Sequence, residues 1–262
     1  ILPGANDKLT PDNIRKRENL FHNCRFCLLS NEIPIETVIT AAKIARQNGV
    51  ETIFKPAALK KLPAKLYENI DILIPNRREA AALCPQYSSV EQQADYFYQL
   101  GIPTVIITLG ADGCYLKTAE SAKYFPAVDL NVIDSTGGAD AFISAFASYR
   151  SENYSLEQSI QIATIAAAFC VSRQGVESAL IDKNSLELYI AKEQSDLFTT
   201  SISEVCFYTD DIDSVYKALI ENHVECLSEP QYFDFRADGF GESRAFYFRD
   251  PDGIILEMMQ QL

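Results

Sequence analysis

Asp134-Ser135-Thr136-Gly137-Gly138-Ala139-Asp140-Ala141-Phe142 is the stretch from which the chain can be read outward. An acid opens it, two hydroxyls and two glycines follow, and a second acid stands where an apolar run begins (Ala141, Phe142, Ile143, Ala145, Phe146, Ala147). A Gly-rich turn running into a helix leaves the first helical N–H groups without backbone partners, a small positive pole suited to an anion. An aspartate beside that pole faces the anion, within reach of a proton on an attacking group. The combination suits phosphoryl transfer to an alcohol: the base takes the hydroxyl proton while the amides hold the migrating phosphoryl. A strand-to-helix turn with ordinary glycines reads the same way over so few residues, so the neighbouring sequence has to decide.

The neighbours repeat a strand–helix rhythm. Thr10-Pro11-Asp12 reads as an N-cap, a first-turn proline and a first-turn acid, predicting a helix through about Phe21. Arg25–Ser30 is a strand. Pro34 to Asn48 is a helix with apolar Ile35, Val38, Ile39, Ala42, Ile44 and Ala45, closed by Gly49. Strands follow at Glu51–Lys55 and Asp71–Pro75, a short helix starts at Asn76, and another spans Ser89–Leu100. Thr104–Thr108 is β-branched, and Gly110-Ala111-Asp112-Gly113 turns it into Cys114–Lys117. Helices are predicted at about 138–150, 155–172 and 184–194. The pattern implies an α/β fold, a mostly parallel sheet with helices on both faces. Ligands in such sheets bind at the C-terminal ends of the strands. Thr108-Leu109-Gly110 and residues 134–140 both fall there.

Composition bounds the possibilities. The chain has 262 residues and a net charge of −13, which argues against a nucleic-acid partner by electrostatics. No run is long enough for a membrane span. Residues 196–262 hold 14 acidic and 4 basic residues against 22 and 19 in residues 1–195, which predicts domains of 1–195 and 196–262. Seven cysteines (24, 27, 84, 114, 170, 206, 226), an odd number mostly in apolar contexts, point to buried free thiols and a reducing, cytoplasmic compartment. Cys24 and Cys27 form a C-x-x-C with no second pair at zinc-site spacing. No signal peptide is visible, and Ile1 in place of Met predicts a translation start further upstream.

Taken together, residues 1 to about 192 resemble the C-terminal two thirds of a ribokinase/PfkB-type carbohydrate kinase. Six pieces carry the likeness, in the family's order: Pro3-Gly4-Ala5-Asn6, Glu32-Ile33-Pro34, Asn76-Arg77-Arg78-Glu79, Thr108-Leu109-Gly110 with Gly113, residues 134–142, and Val171 to Gly175. The resemblance implies roles. Asp140 matches the base that deprotonates the sugar hydroxyl, and Gly137, Gly138 and Ala139 the anion hole. Asn76 and Glu79 match the Asn-x-x-Glu motif that orders Mg²⁺ and its water beside the nucleotide phosphates; the same spacing is a helix capping box. Thr108 and Gly110 match the corner that contacts ATP, with Gly113 either part of it or only the hairpin turn. Asp134 and Thr136, with carbonyls after Val171, resemble a monovalent-cation (K⁺) loop, or else cap and stiffen the turn. Glu32 resembles a substrate-side glutamate, or a helix-N-terminal acid.

Three departures stand out. The family usually reads Gly-Ala-Gly-Asp where this chain has Gly137-Gly138-Ala139-Asp140, which distorts the anion hole if Ala139 must take a positive φ. Lys55 precedes Pro56 where relatives usually carry Asp or Asn. The family's N-terminal third, with its sugar-binding Gly/Asn loop and β lid, has no counterpart. That predicts a fragment, a truncated relative or a subunit needing a partner segment, with an exposed sheet edge.

Residues 200–262 resemble one βαβββ module of the glyoxalase/bleomycin-resistance/dioxygenase superfamily, a small α+β unit. The likeness rests on Val205–Asp211, Val215–Leu219 and Phe246–Glu257. It implies that Glu204 on the first strand and Glu257 on the last hold a divalent metal, closed by a second module from a homodimer partner. The whole then reads as an ATP-dependent kinase that phosphorylates a sugar with Mg²⁺ as cofactor. Its alternatives are a catalytically silent nucleotide-binding or assembly protein, or a function carried by the C-terminal module.

Overall fold

A computed structural model describes residues 4–57, 62–193, 205–234, 236, 241–250 and 255–262. The chain divides into two compact units, Ile1–Leu186 and Glu187–Leu262.

In the first unit β1 (Phe26–Ser30), β2 (Glu51–Lys55), β3 (Ile72–Leu73), β4 (Thr104–Thr108), β5 (Cys114–Lys117) and β6 (Ala122–Phe125) form one sheet in chain order. The first four strands are mutually parallel, and β5 and β6 return antiparallel. Parallel neighbours need crossovers, supplied by α2 (Ile35–Gln47), α3 (Ala64–Tyr67), and the pair α4 (Arg77–Leu83) and α5 (Val90–Gln99). Crossovers of one hand between strands laid down in one direction put these helices on one face. After β6 the chain crosses to α6 (Gly138–Ser151) and α7 (Leu156–Val171).

Alternate residues of each strand serve the two faces. Phe54, Leu73, Val105, Ile107 and Tyr115 pack with Val38 and Ala42 of α2, Leu66 and Tyr67 of α3, Ala80 of α4, and Ala94 and Phe97 of α5. Their neighbours Ile53, Ile72, Ile106, Cys114 and Leu116 pack with Phe142, Ile143 and Phe146 of α6 and Ile160 and Ala163 of α7. The unit is a three-layer sandwich, the mostly parallel α/β arrangement expected, and the centre of β4, Val105–Ile107, is apolar and buried because both its sides are covered.

The predicted helix from Thr10 to Phe21 is shorter in the structure. α1 covers only Pro11–Arg15, and a 3₁₀ turn covers Glu18–Phe21. Thr10 and Asn13 do form a reciprocal cap, but between Ile14 and Leu20 no apolar residue falls at helical spacing, so no stripe holds further turns to the core.

In the second unit β7 (Val205–Tyr208), β8 (Gln231–Asp234), β9 (Glu242–Arg249) and β10 (Ile255–Gln261) lie in the order β7-β10-β9-β8, with α9 (Ile212–Glu221) between the first two in sequence. β10 runs parallel to β7 and antiparallel to β9. Ile212, Val215, Tyr216 and Leu219 of α9 pack on Phe246, Phe248, Leu256 and Met258. The element order is βαβββ. Before β8 (Gln231–Asp234) the ladder to β9 is limited to one bridge between Cys226 and Phe248, and Pro230 has no N–H to continue it. Between α7 and β7 lies α8 (Lys183–Glu193).

Candidate functional site

The N-terminus of α6 is built by its glycines. Gly137 is the N-cap, in the left-handed region (φ 84°) that costs other residues strain. A Cβ on Gly138 would stand 2.7 Å from Val171 Cγ1, so any larger residue here requires the Val171 side chain to shift where the turn lies against α7. Ala139, by contrast, is inside the helix and has no positive φ. The expected distortion is therefore absent: the residue requiring left-handed geometry is Gly137, and an alanine two positions later is in ordinary helical backbone.

The first helical bond joins the Ala141 N–H to the Gly137 carbonyl. The N–H groups of Gly138, Ala139 and Asp140 precede that ladder. Asn76, Ser89 and Ser155 each close their own helix start with a side-chain oxygen, whereas α6 has no side-chain cap. Its start is thus left open toward an anion. Asp140 lies in the first turn and is exposed.

Asp134 holds the turn from behind. Its Oδ1 accepts the Thr136 N–H at 2.9 Å and its Oδ2 the Gly175 N–H at 3.4 Å. The Val171 carbonyl accepts the N–H groups of Ile133 and Asp134 at 2.8 and 3.1 Å. These bonds tie the loop before α6 to the loop after α7. Hydrogen bonds from Thr136 and then Gly175 hold the Asp134 carboxyl below its ordinary pKa. Nearby, burial first, then the carboxylates of Asp140 and Asp134, push the Cys170 thiol up. Cys170 therefore stays protonated and packs under the turn, its thiol donating to the Thr136 carbonyl at 3.7 Å.

A second group forms where β2, β3 and β4 end. Asn76 and Glu79 make the expected capping box: Asn76 Oδ1 accepts the Glu79 N–H at 2.9 Å, and Glu79 Oε2 accepts the Asn76 N–H at 2.7 Å. Asn76 also bridges to Thr108, whose N–H donates to the Pro75 carbonyl. Gly110 follows in the left-handed region with open space about it, while a Cβ on Gly113 would lie 1.9 Å from the Phe125 carbonyl oxygen. Gly113 is thereby the residue that lets β5 turn close beneath β6. The feature that sequence reasoning missed is the partner of Lys55. Its ammonium donates to Glu79 Oε1 at 2.6 Å, to Glu79 Oε2, and to the Pro56 carbonyl at 3.1 Å. Glu79, expected to order Mg²⁺ through water, thus meets an internal cation; the one signal for it was Lys55 standing where the family carries Asp or Asn.

The two groups share an edge of the sheet. Arg25, just before β1, donates to the Ser151 carbonyl and to Asn153 Oδ1 beyond the C-terminus of α6. The end of α6 therefore lies at the N-terminal edge of the strands. A 14-residue helix spans about 21 Å and a five-residue strand about 17 Å, so the start of α6 reaches the opposite edge, where Asn76 and Thr108 are. Glu32 follows β1 at that edge and is exposed. It stands outside the first turn of α2, whose acid is Glu36.

In the second unit Glu257 is buried in β10 and accepts the Tyr247 hydroxyl at 3.2 Å. Glu204 lies outside the described residues. Among the described residues no cluster of three or more His, Cys, Asp or Glu could hold a metal ion, and no helix is long and apolar enough to cross a membrane.

Comparison with known proteins covers the same part of the chain. Residues 1–183 match the pfkB family carbohydrate kinase profile. The ribokinase of Staphylococcus aureus (strain COL) is 34% identical over 185 residues, 69% of this chain and 61% of that protein. Among solved structures, ribokinase from Thermotoga maritima superposes with a TM-score of 0.68 at 32% identity, over 73% of this chain and 64% of that one. Arabidopsis thaliana ribokinase, solved with ribose and ATP, gives 0.63 at 27% identity, over 71% and 59%. The chain spans about three fifths of the length of these curated relatives.

Proposed function

The chain belongs, over residues 1–183, to the pfkB family of carbohydrate kinases, and from this premise we propose that it transfers the γ-phosphoryl of ATP to a hydroxyl of a sugar. The observation that carries the reading is the open start of α6, with no side-chain cap and an exposed aspartate in its first turn, at the strand edge where Asn76 and Thr108 meet. The nucleotide lies along the Asn76, Thr108 and Gly110 corner. The N–H groups around Gly137, Gly138 and Ala139 take the charge that develops on the migrating phosphoryl. Asp140 removes the proton of the acceptor hydroxyl, and Glu32 faces the sugar from the end of β1. Asp134 and Thr136 keep the anion turn in place, with K⁺ a further occupant of that loop. Ribose, with which a relative was solved, is the first acceptor to assay.

Asp140→Asn tests the mechanism. It keeps the side chain's shape and removes the base, so turnover with ribose and labelled ATP should fall about 10²-fold or more while nucleotide affinity by calorimetry changes little. Equal turnover in the variant would sink the assignment. ATP binding without turnover on any sugar, in the unaltered chain, would favour a silent nucleotide-binding protein.

For the second unit we take the βαβββ order and the buried Glu257 as marks of a glyoxalase-like module that binds a divalent metal or small ligand across a homodimer. Stoichiometric Mn²⁺ bound by a dimer and lost in Glu257→Ala is the expected result. A dimer that takes up no Mn²⁺, Ni²⁺ or Fe²⁺ would overturn it.

A further inference from the structure

The family implies a divalent cation ordered by Glu79, and the residues here do not fit that arrangement. Glu79 is buried, with 9% of its side chain exposed, and Lys55 is nearly so at 15%. All three ammonium protons of Lys55 are spent, two on the Glu79 oxygens and one on the Pro56 carbonyl. The backbone N–H of Asn76 occupies Glu79 Oε2 as well. A carboxylate taken out of water needs a cation beside it. Here that cation is part of the chain, and a divalent ion brought to the same carboxylate would lie against the ammonium, where like charges repel strongly at low dielectric.

We propose that Lys55 is a built-in counter-cation: its ammonium stands in the place a divalent ion would take beside Glu79, so that nucleotide capture at this corner does not use a metal organised by Glu79. The proposal rests on the nucleotide-binding reading of the corner, but its central claim concerns Lys55 and Glu79 alone and can be tested without nucleotide. The chemistry of the exchange is simple. A single positive charge on a four-carbon stem, held by β2, replaces a hydrated divalent ion. The Lys55–Glu79 pair is then neutral before any ligand arrives, whereas a bare Glu79 would set a negative charge beside incoming phosphates.

The experiment is a pair of measurements on the full chain. Thermal melting is followed with 10 mM MgCl₂ against NaCl of equal ionic strength. In Lys55→Asn, Mg²⁺ should fill the vacated place and raise the melting temperature by about 3–5 °C, as a ligand present at roughly ten times its Kd does. The unaltered chain and the double variant Lys55→Asn, Glu79→Gln should not respond. A Lys55→Asn protein indifferent to Mg²⁺, or an unaltered chain that responds equally, overturns the proposal. Should Lys55→Asn fail to fold without metal, its refolding yield with and without MgCl₂ gives the same comparison. The second measurement is the affinity for AMP-PNP in Mg²⁺ and in EDTA. Any gain from Mg²⁺ should be the same, within threefold, in the unaltered chain and in Glu79→Gln. Loss of that gain in Glu79→Gln overturns the proposal. Absence of AMP-PNP binding in every variant overturns the nucleotide reading instead, and the melting comparison still decides the role of Lys55.

Discussion

Single residues decide whether the two corners can form, and the glycines differ sharply in what they contribute. Gly110 needs only its left-handed φ, since a Cβ there meets nothing within 4 Å. Gly113 has both a positive φ and the Phe125 carbonyl oxygen 1.9 Å from where a Cβ would be. Gly110→Ala should therefore cost about 1–2 kcal/mol from backbone strain alone. Gly113→Ala must also move the backbone of β6 and should cost roughly 2–4 kcal/mol. Thermal denaturation of the two variants separates them, with the larger fall in melting temperature for Gly113→Ala; equal falls would contradict the packing argument. Ala139 is the opposite case. Sequence alone made it a potential defect of the anion hole, and the backbone angle removes the concern. Asn76 and Glu79 were legible as a cap because the motif is local, three residues apart. The Lys55–Glu79 pair was not, because its members are 24 residues apart in sequence and meet only when β2 and β3 lie side by side.

At the level of elements, the start of α6 is fastened to the end of α7 through Asp134, and that fastening should be visible in the pH dependence of stability. Hydrogen bonds lower the Asp134 pKa in the folded chain relative to the unfolded one. A carboxyl shifted this way adds stability above its unfolded pKa, and the contribution is lost as pH falls through the lower, folded value. Asp134→Asn keeps an oxygen for the Thr136 N–H but loses the charge. Its destabilisation should be full at neutral pH and shrink as pH drops below the ordinary carboxylate range. Chemical denaturation from pH 7 to pH 3 checks this; a deficit that grows on acidification would refute it. The same element-scale view explains the helix that the sequence overextended. The cap at Thr10 and Asn13 is real, but a cap starts a helix and cannot prolong one. A helix lengthens in a protein when successive turns bury apolar side chains, and after Ile14 none is placed to do so.

For the whole molecule, the sequence determined the rhythm of elements, the sandwich they build and the family to which residues 1–183 belong. Those depend on periodicity and short motifs: strand residues alternating between two apolar faces, helices carrying one apolar stripe, glycines where the chain turns. The acidic bias of residues 196–262 predicts a boundary near 195, and the compact units of the structure divide after Leu186. The βαβββ order of the second unit was legible in the same way, though not the loss of ladder before Pro230. Tertiary structure alone decided which charges meet and what each is used for. It placed Lys55 on Glu79, fixed Asp134 between two loops, and left Asp140 free in the first turn of an uncapped helix. The physical reason is range. Local propensity and burial patterns act over a few residues and are written in sequence order, whereas a carboxylate's role depends on the cation or donor beside it. In this chain that neighbour comes from another strand or loop, brought there by the sheet.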